Sequence, residues 1–221
     1  MAGDRGAFAL NPPSLADVLY ESLRKRIVNG DIEPGEKLTE IRVATEYSVA
    51  RPTAKACLER LVALGVLRRS AHKSAVVPEL GREDILDVFR AREAVEGFAV
   101  GILAGERNVP AEATRAQAAI ELAAREQDFP AQVEADIRFH TALVEATASP
   151  RLLKMHELII GEVQITMGRA RAHAATQPSK IVAEHAAILS AIAGGRLEQA
   201  EAALLRHIHR ARDRLVRQAE A

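Results

Sequence analysis

The chain has no tryptophan, a single cysteine (Cys57) and only seven other aromatic rings, two tyrosines and five phenylalanines, among its 221 residues. One cysteine cannot close a disulfide within the chain, so no covalent staple is expected and the expected setting is a reducing cytoplasm. With aromatics at 3% there is no ladder of rings on which single-stranded bases could stack. No apolar run approaches the roughly 20 residues of a membrane span, so no membrane partner is expected. Net charge is missing as well: 30 basic and 30 acidic residues cancel. Any affinity for nucleic acid must therefore come from local clustering rather than bulk charge. Residues 1–14 carry Arg5 and a short apolar run, Ala7 to Leu10, before Asn11-Pro12-Pro13. That is too short for a signal peptide and reads as a flexible arm. What is present, 48% hydrophobic and 27% charged residues, describes a globular chain long enough for one large or two ordinary domains.

The clustering lies between Thr39 and Val77. Thr39 to Glu46 reads as a short helix turning at Tyr47-Ser48-Val49, and Arg51 to Leu64 as a second helix with Pro52 in its first turn, where a missing N–H costs nothing. Ala54, Cys57, Leu58, Leu61 and Leu64 recur at helical spacing and form its buried stripe, with Cys57 packed beneath it. Arg51, Lys55 and Glu59 fall on the opposite face. Gly65 ends the helix, and Val66-Leu67 and Ala75-Val76-Val77 can pair as strands around a basic tip. The pattern is a winged helix-turn-helix, which reads duplex DNA. From Arg51 to Val77 six basic residues (Arg51, Lys55, Arg60, Arg68, Arg69 and Lys73) face one acid, Glu59, a footprint suited to phosphates. The candidate DNA-facing residues are Arg42, Arg51, Pro52, Thr53, Lys55, His72 and Lys73. Upstream, Leu15 to Asn29 places Leu15, Val18, Leu19, Leu23 and Ile27 on one face, so residues 15–78 are expected to form one small domain of three helices and a wing. Residues 79–82 are the expected junction.

Beyond it the pattern changes to long helices, expected near residues 83–104, 110–127, 130–147, 150–172, 179–193 and 197–219. Prolines stand at their starts and glycines near their ends, the usual asymmetry. The fold class is therefore mostly α: a winged helix-turn-helix followed by an all-helical, six-helix bundle over 83–221, large enough for an internal cavity. Asp136 and His140 are spaced i, i+4 on the third bundle helix. His185 lies on the fifth and His207 on the sixth. One carboxylate and three imidazoles from three helices suit a divalent transition metal, zinc first, with nickel or manganese as alternatives. An i, i+4 Asp/His pair is also common by chance, and a lone helical histidine is more often a surface or hydrogen-bonded core residue. His72, His156, His173 and His209 are not assigned to the metal.

The residues from Leu15 onward resemble GntR-family transcription regulators of the FadR-like branch, whose all-helical ligand domain is called FCD. At the N-terminus the resemblance rests on Leu15–Asn29, Ile32-Glu33-Pro34-Gly35-Glu36-Lys37-Leu38, Val49–Lys55 and Leu58–Leu67. At the C-terminus it rests on Val88–Ala99, the Asp136/His140 pair, Glu184–Ile188 and His207. It implies a homodimer on a palindromic operator, read through Arg51, which matches a base- or phosphate-reading arginine. Lys55 stands where the family usually has a second arginine, and Ala50 replaces a capping Ser or Thr. The wing lacks the usual glycine at His72-Lys73-Ser74. Asp136, His140, His185 and His207 match the ligands of metal-containing members. Arg92 matches an arginine that faces the effector cavity, with Glu96 one turn on as its other possible partner. A small carboxylate effector follows. The competing class is a metal-dependent enzyme on the same bundle, in which the four ligands activate a water.

Overall fold

The computed structural model describes residues 14–69, 74–169 and 178–220. Helix α1 spans Leu15–Val28 and opens with a reciprocal cap, in which Ser14 accepts from the Asp17 N–H while Asp17 accepts from that of Ser14. A two-residue strand β1 (Lys37–Leu38) leads into α2 (Glu40–Glu46), capped by the Thr39 hydroxyl. The turn at Ser48, held in the left-handed region, leads to α3 (Arg51–Ala63). Ala50 has no side chain to cap that helix, and Pro52 occupies its first turn. Strands β2 (Arg68–Arg69) and β3 (Ala75–Val76) complete the wing, and β1 joins them in an antiparallel sheet of order β1-β3-β2.

One expectation needs correction here. The first wing strand is Arg68–Arg69, not Val66-Leu67, because the Val66 and Leu67 N–H groups turn back to the Leu61 carbonyl at 3.0 and 3.2 Å and both side chains are buried. Those two residues close the end of α3 and fill the core beneath it. Strand β1 carries no pattern of its own, since two residues are too few for an alternation. Leu19, Leu23, Ile27, Ile32, Leu38, Val43, Ala54, Cys57, Leu58 and Leu61 form one apolar core.

The second core belongs to helices α4 (Arg82–Glu106), α5 (Ala111–Glu126), α6 (Phe129–Glu145), α7 (Pro150–Arg169), α8 (Pro178–Ala193) and α9 (Leu197–Ala219). Helices α4 and α9 run antiparallel: Arg82 pairs with Glu220, Glu93 with Arg212 and His209, and Gly101 lies against Glu201. Asp128 caps α6 through the Ala131 N–H. Among the described residues no helix is long and apolar enough to cross a membrane.

Helix α7 belongs to both cores. Its Ile165 is buried in the reader's core, while Ile160, Val163 and Met167 are buried in the bundle's. The contact is a close approach of two backbones. Gly65, at φ +71°, has no room for a Cβ because the Leu158 carbonyl would lie 2.7 Å from it. A Cβ on Gly161 would stand 1.9 Å from the Leu64 carbonyl. Arg68 reaches Glu162 at 3.2 Å and Arg24 reaches Gln164 at 3.3 Å, so polar contacts flank the apolar one.

Candidate metal centre and DNA face

On the DNA side, Arg51, Lys55, Arg69, Thr39, Glu40, Ile41 and Ser74 line one groove between α3 and the wing. Arg51 is two-thirds exposed and among the described residues pairs only with Glu40, at 3.9 Å, as Lys55 does with Glu59, at 3.9 Å. Pro52 and Thr53 share the first turn of α3 with Arg51. Arg42, by contrast, is engaged within the reader by Glu36 at 2.6 Å and the Lys37 carbonyl at 3.1 Å. Two members of the basic cluster are spent elsewhere: Arg60 on Asp17 (2.8 Å) and the Tyr20 ring, Arg68 on Glu162 and Asp84. His72 and Lys73 lie outside the described residues, as does His173.

In the bundle, Asp136, His140, His185 and His207 each offer a ligand atom, and these atoms all lie within 4.8 Å of one another. All four side chains are buried. Helix α6 supplies Asp136 and His140 one turn apart, α8 supplies His185 and α9 supplies His207.

The hydrogen bonds behind the histidines decide what that cluster can hold. His140 Nδ1 lies 2.7 Å from Glu96 Oε2, and His207 Nδ1 lies 2.9 Å from Glu184 Oε2. A carboxylate only accepts, so each Nδ1 carries the proton and each Nε2 is left as a bare lone pair. Yet those two Nε2 atoms are 3.2 Å apart, and His185 Nε2 is 3.2 Å from His207 Nε2 and 3.3 Å from Asp136 Oδ1. Two facing lone pairs repel, and a shared cation removes the conflict. A cation about 2.1 Å from each ligand sets neighbours about 3.0–3.4 Å apart, for octahedral or tetrahedral angles. The donor set therefore fits a divalent ion. Burial, reinforced by Arg92, pushes His140 down to about 4, and burial together with His207 holds His185 well below the usual histidine range. Both rings are neutral near pH 7, the form that binds metal.

Glu96 is the hub behind this set. Its Oε1 accepts from Arg92 Nε at 2.8 Å and meets His156 Nε2 at 3.1 Å, while Oε2 holds His140. Burial alone would raise its carboxyl, but Arg92 and the two histidines outweigh that and hold it well below the usual range. Arg92 is fully buried, and its Nη1 and Nη2 have no hydrogen-bond partner among the described residues. The ion pair with Glu96 and a free pair of donors are thus both properties of one side chain. His156, set aside in the sequence, is fully buried here on Glu96. His209 is on the surface against Glu93. Sequence reasoning missed Glu184, which precedes His185 by one residue and so leaves α8 on a different side. Only its meeting with α9 gives it a role, and Arg210 anchors its other oxygen.

Comparison with known proteins gives a consistent result for both halves. Residues 15–77 match the model of bacterial regulatory proteins of the gntR family, and residues 87–210 match that of the FCD domain. The HTH-type transcriptional regulator LutR of Bacillus subtilis (strain 168) is 27% identical over 208 residues, covering 85% of this chain and 94% of its own. Escherichia coli McbR/YncC shares the fold with a TM-score of 0.74 at 21% identity, over 94% of this chain and 99% of that one. A structure titled as the metal-free FCD domain of TM0439 superposes with a TM-score of 0.54 at 15% identity, over 63% of this chain and 96% of that one.

Proposed function

The chain belongs to the gntR family of bacterial regulatory proteins and carries an FCD domain, which makes it a DNA-binding transcription regulator and not an enzyme, and from that premise we propose that a small organic acid, bound beside a metal ion in the bundle, sets its affinity for operator DNA. The division of labour follows residues 15–78 for reading and 83–221 for sensing, joined at 79–82. Two copies, related by a two-fold axis, place their α3 helices in successive major grooves of a palindromic operator. Arg51 reads a base edge or phosphate, and Lys55, a point charge, takes phosphate. A protein that must reach chromosomal DNA works in the cytoplasm.

Asp136, His140, His185 and His207 would hold the ion, zinc before nickel or manganese. When bound, that ion supplies a Lewis-acidic positive charge for a carboxylate. The chain's own residues do the rest. Glu96 and Glu184 fix the tautomers of His140 and His207 so that Nε2 faces inward. Arg92 presents Nη1 and Nη2 as a two-pronged donor for the acid. The single observation that carries this reading is the fully buried Arg92, paired through Nε yet with both terminal nitrogens unmatched, beside the imidazole cluster. A buried charge of that kind is costly unless a ligand completes it. The effector then acts as a repressor's release signal, with coupling of typically 1–3 kcal/mol, or about 5–150-fold in operator affinity.

Calorimetric titration of the full chain with zinc tests the first half: about one ion per protomer is expected, and His185→Ala should abolish it. A thermal-shift screen of short carboxylic acids tests the second. At least one acid should raise the Tm of the metal-loaded chain and release operator DNA, and Arg92→Gln should remove both effects. Failure of zinc, nickel and manganese to bind overturns the metal. Acids that bind the wild type and Arg92→Gln equally overturn the arginine.

A further inference from the structure

One acid interrupts the basic reading surface. Glu59 lies on the face of α3 that carries Arg51 and Lys55, one turn beyond Lys55, and its side chain is half exposed. Its Oε1 is met by two cations at once, Lys55 Nζ at 3.9 Å on its own helix and Arg69 Nη2 at 3.7 Å on the wing. Lys55 and Arg69 both line the groove between α3 and the wing. The carboxylate therefore stands at the edge of that groove, between the two elements that meet DNA.

The fold gives Glu59 little to do. It takes no part in the reader's apolar core. On a helix surface an acid supports the helix best when it precedes its basic partner by one turn, and here it follows. Its pairs are also loose. Arg42–Glu36 and Arg60–Asp17, elsewhere in the reader, close to 2.6 and 2.8 Å, and exposed pairs longer than these add little stability. Toward phosphate the carboxylate is a liability, since it repels the backbone that Lys55 and Arg69 attract. Only a base edge offers it a partner. In the major groove a group that only accepts finds its donor in the N4 amino group of cytosine.

We propose that Glu59 reads a cytosine in each half of the operator, accepting from its N4 amino group while Lys55 and Arg69 turn from the carboxylate to the flanking phosphates. This rests on the reading of α3 as the recognition helix. Guanine and thymine present acceptors in the major groove, and adenine sets its N7 lone pair beside its amino group, so each of them meets the carboxylate with a lone pair. The acid thus acts in both directions, selecting one base and weakening duplexes that lack it. From Arg51 to Glu59 the helix rises about 12 Å, at about 1.5 Å per residue. At about 3.4 Å per base pair, the cytosine lies roughly three to four base pairs from the position that Arg51 reads.

The test is selection of operator sequences from a random duplex pool by the full chain, with wild type and Glu59→Ala side by side. Fluorescence anisotropy then follows on the selected duplex and on its three single-base variants at the cytosine position. Wild type is expected to fix a cytosine at one position of each half-site, and to bind about fivefold or more weakly when another base pair stands there. Glu59→Ala should select the same half-site with that position left open, and bind the four duplexes within about twofold of one another. Its Tm should match the wild type, since the substitution removes no core contact. A wild-type half-site without such a cytosine overturns the proposal, as does a Glu59→Ala protein that still demands it. Arg51→Ala keeps the two readings apart. If Arg51→Ala also selects the wild-type sequence unchanged, α3 is not the recognition helix and the role of Glu59 falls with it.

Discussion

The reader and the bundle bury opposite things. Among the described residues, every buried polar or charged side chain belongs to α4–α9: Arg92, Glu96, Gln117, Gln132, Asp136, His140, His156, Gln164, His185 and His207. The reader's core is aliphatic apart from Tyr20 and Cys57, and its charges stand outside, where Arg51, Lys55 and Arg69 line the groove beside the wing. The difference reflects where each ligand arrives. Phosphates approach from solvent, so the groups that meet them stay hydrated until contact and cost the fold nothing. A small effector is enclosed, so its partners must be buried in advance and carry a desolvation penalty until it binds. A buried unmatched charge is thus informative in the bundle, and an exposed arginine is informative in the reader.

The largest expected effect comes from breaking the bundle's hub. Glu96→Ala leaves Arg92 buried without its counter-ion, and removing one partner of a buried pair costs about 3–5 kcal/mol. A drop in urea midpoint of that size should appear in the bundle. Metal affinity should fall as well, since His140 loses the acceptor that fixes its tautomer. An unchanged midpoint would mean that the pair is not buried in solution.

Next comes the joint between the two regions. Gly161→Ala forces a methyl group into the Leu64 carbonyl, backbone against backbone, which neither side can relieve by a rotamer change. Overpacking of this kind costs about 1–3 kcal/mol. The expected result is a reader that separates from α7, seen as faster proteolysis near residues 79–82, with the bundle's zinc binding intact. Normal protease resistance would show that α7 does not hold the reader.

The reader's surface should respond in affinity and not in stability. Arg51→Ala is expected to cost about 1–3 kcal/mol of operator binding and to relax preference at one base pair. Its Tm should stay within experimental error, because among the described residues Arg51 makes no ion pair beyond a 3.9 Å contact to Glu40. Equal binding of both proteins to a selected operator would remove Arg51 from the reading face.

The smallest effect is at Cys57, the reader's one buried titratable thiol. Burial pushes it up to about 11 from an ordinary value of 9.0. A raised value means the stability it contributes is complete below pH 9 and is lost as pH rises toward 11. Alkylation by iodoacetamide at pH 8 should therefore be slow in native protein and fast only after unfolding. Rapid native labelling would contradict the packing of Cys57 beneath α3.

Much of this was legible in the chain. Period 3.6 and the placement of prolines gave helices whose boundaries in the structure shift by only a few residues, because an apolar stripe and a missing N–H act locally. The Asp136/His140 pair was visible for the same reason. What escaped detection depended on neighbours. Strand β1 is two residues long and exists only because β3 lies beside it. Val66 and Leu67 have strand-like side chains, yet the Leu61 carbonyl captures their N–H groups. Arg60 and Arg68 count toward a basic cluster in one dimension but face α1 and α7 in three.

By itself, then, the sequence determined two regions, the helices in each, and four candidate ligands on three of them, since these follow from periodicity and residue chemistry. Only the tertiary structure decided that Glu96 and Glu184 stand behind the histidines, that His156 joins them, and that Gly161 admits the reader. Those facts depend on how helices distant in sequence are rotated and staggered against one another, which is set by side-chain packing across their whole interface and leaves no local period to read.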